Sequence, residues 1–500
     1  MNGSREKFAL SPFVKITTIT LAALLLRIHS LGAQSLWYDE GATLWFATGG
    51  WERWITDTHP PLYYALVHSW LRFGHTEYWL RLLSVIPAVA TIPVIYSLGK
   101  KMFGTNAGLL AACFMALLGF HIDHSQQARM YTFFVLFYAC AMWALITVAR
   151  EAREWHWVTY VIAASLLAYS QGIGILYVAM IAVLFPILLP QPWRVSVWFR
   201  FFVANAIVIL LYIPWLTLLT KDHFRVGFMN WVSRPVWFSI PATLFSFVSI
   251  YIPFTSIPHF RRGILLLRAV AVAVSIAPAL SLIWFALRGM FSNPKRWALL
   301  TAVSTLVLPL VTVYLLSIFV VPMYIDRVLL PASVGLVLIL GATVQEGRKS
   351  PPRLLICSAL LISGINTYCF FQYRYREDFR SLSQDLQYSL NPQDMILFVS
   401  DSSLPRVLIE YYDRQATLAA AGKLDLQSIV RSCHKSFDEC IHPYHRELQA
   451  ARRVWIVYAH DEGMAGREAI QRWLDSHFTP VSTKSYKVLL SLSETRAIGF

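Results

Sequence analysis

Charge is what this sequence has least of. Only 14% of its 500 residues are Asp, Glu, Lys or Arg, where a soluble globular chain carries about 25%. Hydrophobic residues make up 56%, and apolar runs of spanning length recur, so the chain reads as a polytopic α-helical membrane protein. Acids are scarcer than bases, giving a net charge of +15. That excess does not point to nucleic acid, because most Lys and Arg fall in short loops between apolar runs, the pattern of membrane topology. The first apolar run, 13–31, lacks a small-residue cleavage site and reads as a retained helix. No GxGxxG opens a strand-to-helix unit and no P-loop occurs, which argues against a nucleotide site. Repeats and low-complexity tracts are also missing.

Cysteine is sparse as well. Of six, Cys113, Cys140, Cys357 and Cys369 lie in apolar segments and read as small packing residues. Cys433 and Cys440 lie in the polar C-terminal region. If that region is extracytoplasmic, a local disulfide is the leading reading. A zinc site with His442 and His445 is the alternative, but the spacing matches no familiar ligand pattern.

What is present is a series of apolar runs, near 13–31, 79–99, 106–120, 130–149, 157–171, 172–190, 200–219, 264–287, 298–321, 328–344 and 353–371. They predict about eleven spans, with two either way. Placing the N-terminus inside puts Arg5, Lys7, Lys100, Lys101, Arg150, Arg153, Arg194, Arg200, Arg288, Lys295, Arg296, Arg348, Lys349 and Arg353 on the cytoplasmic side. One long outer loop, 220–263, strains the rule with Lys221, Arg225, Arg234, Arg261 and Arg262. Within it the run 237–257 is broken by Pro241 and Pro253 and reads as an interfacial segment. From 376 the composition changes. Residues 394–400 and 454–458 read as strands and 467–478 as an amphipathic helix. The expected organisation is a membrane domain over 1–375 and a small α/β domain over 376–500, outside the membrane.

The outer side collects the unusual residues. The first outer loop, 32–78, carries Trp37, Trp45, Trp51, Trp54 and Trp70, suited to the headgroup level. Its stretch 41–55 has the spacing of a surface helix. Before that helix stands the acid pair Asp39-Glu40; after it come His59, the break Pro60-Pro61, and Tyr63-Tyr64. Further polar residues fall at outward helix ends: Glu77 and Arg81; His121, Asp123, His124, Gln126, Gln127, Arg129 and Tyr131; and Tyr324, Asp326 and Arg327. Ionisable groups at membrane depth are costly and mark sites or pathways. Each has a plainer reading. Asp39 and Glu40 suit a helix start, His59 a loop held by backbone bonds, and the arginines snorkelling anchors. His121, Asp123 and His124 invite a metal, without enough ligands in view. Convergence of acids, His and Arg on one face favours function.

Trp37-Tyr38-Asp39-Glu40-Gly41, His59-Pro60-Pro61-Leu62-Tyr63-Tyr64 and Glu77-Tyr78-Trp79-Leu80-Arg81-Leu82 resemble the N-terminal part of GT-C fold membrane glycosyltransferases. The resemblance is closest to bacterial glycosyltransferase family 39-like proteins, relatives of protein O-mannosyltransferases and of the lipid A aminoarabinose transferase. Gln127-Ala128-Arg129-Met130-Tyr131, Thr243-Leu244-Phe245-Ser246-Phe247 and Tyr324-Ile325-Asp326-Arg327 resemble later motifs of that group in order. Val328 stands where a Tyr commonly follows the Arg, and His59 where the aminoarabinose branch has Lys. The resemblance implies sugar transfer from a polyprenyl-phosphate carrier to a glycan, lipid or protein acceptor outside the inner (plasma) membrane. The Asp of the first outer loop, here Asp39, is then the acid/base.

The residues can supply what such a reaction needs. An acceptor hydroxyl needs a general base, assigned to Asp39. Glu40 orients the loop or binds sugar hydroxyls. The leaving phosphate needs cations, for which Arg81, Arg129, Arg327 and His59 are candidates, with Tyr131 beside them. One direct displacement inverts the anomeric centre. No cofactor is required, and a divalent ion stays open. The competing reading is a transporter or a non-catalytic lipid-linked-glycan binding protein. A transporter would show internal repeats and broken helices near the midplane, whereas here the charges sit at the outer ends.

Overall fold

The structure is a computed structural model that describes residues 10–151, 154–190, 195–222, 232–248, 277–288, 296–345, 352–372, 376–413, 418, 421–432, 436–461, 466–486 and 490–497. Arg5, Lys7, Arg153, Arg194, Arg225, Arg261, Arg262, Lys295, Arg348, Lys349 and Cys433 lie outside the described residues. Two compact units form. One takes the described parts of Met1–Leu31, Gly50–Ile252 and Ile257–Tyr373; the other joins Gly32–Gly49 to Arg374–Phe500.

The first unit is helical. Among the described residues, Glu77–Phe103, Tyr131–Glu151, Val195–Leu218, Arg296–Phe319 and Arg353–Gln372 are long and apolar enough to cross a membrane. Thr105–Leu117 with Gly119–Ser125 makes a sixth candidate, bent by 57°. Other apolar runs carry shorter helices. The run 172–190 divides into Gly174–Val183 and Phe185–Leu188, the second opening with Pro186. The run 328–344 begins as a 3-10 turn, Asp326–Leu329, before Pro331 starts Ala332–Gly341. Proline lacks an N–H and fixes φ, so it begins helices more readily than it continues them.

The bent pair shows how a break is made tolerable inside an apolar unit. Leu118 is extended, which strips the carbonyls of the preceding turn of their helical partners. Arg27, fully buried on helix Pro12–Ile28, donates Nη2–H to the Met115 carbonyl (3.2 Å) and Nη1–H to that of Ala116 (3.1 Å). The Thr367 hydroxyl donates to the Leu117 carbonyl at 3.2 Å. Nearby, Glu77–Phe103 and Thr105–Leu117 meet backbone to backbone. A Cβ on Gly99 would lie 2.8 Å from the Gly108 Cα, the close approach small residues allow between membrane helices.

The outer-loop helix expected over 41–55 starts earlier and ends sooner. It runs Tyr38–Thr48, and a separate turn, Gly50–Trp54, follows. Gly50 has φ +70°, a conformation that costs glycine least, and there the chain changes direction. The interfacial run begun at 237 carries helix Ser239–Val248 over its described part.

The second unit is built on a five-stranded sheet among the described residues, order β2-β1-β3-β5-β4. β1 is Met395–Val399, β2 Gly422–Asp425, β3 Val454–Ala459, β4 Phe478–Ser485 and β5 Leu490–Ala497. β2, β1 and β3 are parallel, while β5 runs antiparallel to β3 and β4. β1 is buried throughout, as a parallel strand flanked on both sides must be. Helix Arg467–His477, expected from its pattern over 467–478, places Ile470, Trp473 and Leu474 in the core with Leu397 and Ile456.

Segment Gly32–Gly49 folds with this sheet. Arg380 donates Nη2–H to the carbonyls of Gly32 (3.1 Å) and Gln34 (3.3 Å), and its own amide donates to Ser35 Oγ (3.1 Å). The Tyr412 hydroxyl accepts the Leu36 N–H at 2.7 Å. Gly41 lies against Leu408 of helix Leu404–Tyr412, where a Cβ would come within 2.8 Å of Leu408 Cγ. The glycine therefore serves close packing in the first turn of its helix.

Candidate active site

In the second unit the acid pair opens helix Tyr38–Thr48. Glu40 is fully buried, and its Oε2 accepts the Trp37 amide at 3.3 Å. That is half of a capping box: a side chain three residues into the helix returns to satisfy an N–H at its start. The helix-start reading thus belongs to Glu40, which orients the loop. Asp39, one residue earlier, is half-buried in the same turn. Around this turn stand Glu377, Asp401, Ser402 and His460. The Tyr38 hydroxyl donates to Asp401 and meets Ser402.

In the first unit a second polar group surrounds His59. Asp57 is buried; its Oδ2 faces His59 Nδ1 at 3.1 Å and takes the Tyr64 hydroxyl. Burial by itself would raise the pKa of Asp57. The charge of His59, hydrogen bonds from His59 and Tyr64, and the charge of Arg129 outweigh it and hold the group at about 2. Asp57 is therefore a carboxylate that fixes one imidazole nitrogen, directing Nε2 away from it. Arg129 is buried above the Tyr131 ring, 5.7 Å from its centroid, and Ser84 Oγ donates to the Arg129 carbonyl at 3.0 Å. Tyr131 meets His124 edge-on at 5.2 Å.

Arg81 and Arg327 belong to the same unit. Arg81, 1% exposed, donates Nη1–H to the Leu31 carbonyl at 2.9 Å, which ties it to the end of the first helix. Arg327 is half-buried on its 3-10 turn. Its neighbour Asp326 accepts the Thr243 hydroxyl at 2.9 Å, and Tyr324 donates to Thr243 Oγ1 at 3.1 Å. The motif of helix Ser239–Val248 and the late arginine motif are thus joined.

His121, Asp123 and His124 are not disposed as metal ligands. His121 Nδ1 faces Arg27 Nη2 at 2.9 Å, and His124 Nδ1 faces the Phe120 carbonyl at 2.8 Å. Among the described residues no group of three His, Cys, Asp or Glu is placed to hold a metal ion. Cys440 is disulfide-bonded, while Cys113, Cys140, Cys357 and Cys369 are free. Sequence reading missed Asp57, Glu377, Asp401 and His460. Asp57 had a signal, its two-residue spacing from His59; the other three had none, lying hundreds of positions from Asp39.

Residues 58–217 match the family described as dolichyl-phosphate-mannose-protein mannosyltransferase. No curated protein matches the chain. Among solved structures, the archaeal oligosaccharyltransferase AglB from Archaeoglobus fulgidus, in complex with an inhibitory peptide and a dolichol-phosphate, aligns with a TM-score of 0.57 and 11% identity. The alignment takes in 95% of this chain and 73% of AglB. The chain has the GT-C fold. ArnT from Cupriavidus metallidurans bound to undecaprenyl phosphate aligns over 97% of this GT-C chain and 98% of its own, at 13% identity and TM-score 0.47. The S. cerevisiae protein O-mannosyltransferase Pmt1-Pmt2 complex bound to the sugar donor aligns at 17% identity and TM-score 0.36. That match takes in 44% of this chain and 35% of the yeast chain, so the GT-C chain spans well under two thirds of the yeast protein.

Proposed function

We propose that the protein is an integral-membrane glycosyltransferase that moves a sugar from a polyprenyl-phosphate donor to an acceptor on the extracytoplasmic side. The observation that carries this reading is the division of labour in the acid pair. Glu40 is consumed in capping, and Asp39 occupies the adjacent, half-exposed position. Asp39 takes the proton of the acceptor hydroxyl as its oxygen bonds to the anomeric carbon. The bond from that carbon to the carrier's phosphate oxygen breaks with its electron pair on the phosphate. His59, Arg81, Arg129 and Arg327, the candidates that the resemblance marks, are the cations proposed to meet the charge that develops on the phosphate. A single displacement inverts the anomeric configuration.

The test uses purified full-length protein with a polyprenyl-phosphate sugar. Asp39→Asn is expected to lower kcat by about 10²–10⁴ with donor binding retained. Full-rate transfer by that variant sinks the reading.

A further inference from the structure

In an open α/β sheet, ligands bind beyond the carboxyl ends of the parallel strands, where the connecting loops diverge. In the second unit that edge holds a piece of the same chain. Asp401 and Ser402 leave β1, and His460 leaves the neighbouring parallel strand β3. Tyr38 engages both. Its hydroxyl bonds to Asp401 and Ser402, and its ring lies 4.0 Å from the His460 imidazole, centroid to centroid, at 34°. Glu377 closes the ring of contacts: Oε1 meets His460 Nε2 at 2.9 Å, and Oε2 accepts the Tyr38 amide at 3.4 Å. His460 itself has φ +49°. A non-glycine residue keeps that conformation where its surroundings over-determine it, often at working sites.

We infer that His460 is a positioning residue for Asp39. Clamped by Glu377 and packed on Tyr38, it fixes the first turn of helix Tyr38–Thr48 and sets a positive charge near the adjacent carboxylate. The inference rests on the catalytic role proposed for Asp39. The titratable groups around His460 are Glu377, Asp401, Asp39 and Tyr38; Asp461, next in the chain, is paired with Arg467 at 3.0 Å. Burial would lower the pKa of His460. The Glu377 hydrogen bond and charge, then the charges of Asp401 and Asp39, raise it above the ordinary value. The clamp is therefore charge-assisted below that raised pKa and weakened to a neutral hydrogen bond as pH rises through it.

The test takes the full-length protein in nanodiscs, with His460→Gln and Glu377→Gln. Hydrogen exchange is followed at the amides of 36–41, with those of β1 as a control for folding. Both variants are expected to lose protection over 36–41 by about tenfold, the scale of one charge-assisted hydrogen bond, with β1 unchanged. Wild-type protection falls at alkaline pH; that of His460→Gln does not change with pH. In transfer assays His460→Gln is expected to lose about tenfold in kcat at unchanged donor KM, and to lose the alkaline limb of the profile. Unchanged protection in both variants overturns the clamp. Lost protection with a wild-type kcat and pH profile overturns its role in placing Asp39. Failure of the catalytic reading is seen separately, as full-rate transfer by Asp39→Asn, and leaves the exchange pattern intact.

Discussion

At the scale of single residues, Asp57 joins the sequence to measurable stability. Its carboxyl is held at about 2 against an unfolded value of about 3.9. A depressed carboxyl stabilises the fold above its unfolded pKa, and that contribution is lost as pH falls toward the folded one. Wild-type protein is therefore expected to lose about 2 kcal/mol between pH 4 and pH 2, read as a falling melting temperature. Asp57→Asn should show less of that slope. It should also be less stable near neutral pH by about 2 kcal/mol, because buried Tyr64 and His59 lose a charged acceptor. Weaker donor binding, seen as a raised KM, is expected from the misdirected imidazole. Glu40 carries the complementary lesson. Its replacement by Gln keeps an acceptor for the Trp37 amide and should leave kcat close to wild type, unlike Asp39→Asn.

At the scale of elements, helix Tyr38–Thr48 depends on one missing side chain. Gly41→Ala drives a Cβ into Leu408 and is expected to cost about 1–3 kcal/mol, as overpacking does. Leu408→Ala in the same chain makes room and should return part of that loss, which a double-mutant cycle on melting temperature would detect. Elements also show what was legible beforehand. Strands β1 and β3 followed from short continuous apolar runs rich in β-branched and aromatic residues, and helix Arg467–His477 from apolar residues recurring at the helical period. The bend at Leu118 did not, because the side chain that satisfies its freed carbonyls, Arg27, lies 88 positions from Met115. Nor did the short helices at 174–183 and 332–341: hydropathy reports that a segment is apolar without fixing where a proline divides it.

At the scale of the whole molecule, composition makes the membrane character plain, and the ordered motifs point to the GT-C fold. The membership of Gly32–Gly49 in the sheet-bearing unit was invisible, because Arg380, Tyr412 and Leu408 carry no local mark of their partners. The proposed topology has a direct check. A single cysteine at Glu154, between helices Tyr131–Glu151 and Trp155–Ser170, is expected to resist an impermeant maleimide in intact cells. One at Val481, exposed on β4, should be labelled. The reverse pattern would invert the orientation.

The bond from the Tyr38 amide to Glu377 joins residues 339 positions apart. A ribosome adding roughly 5–20 residues per second makes the first tens of seconds before the second. The loop bearing Asp39 thus waits for its seat until Glu377 has been made. In that interval the chain can hold its apolar helices while the turn bearing the proposed base is still unassembled. On the proposed role of Asp39, a product stalled before Glu377 is expected to be inert toward a polyprenyl-phosphate sugar.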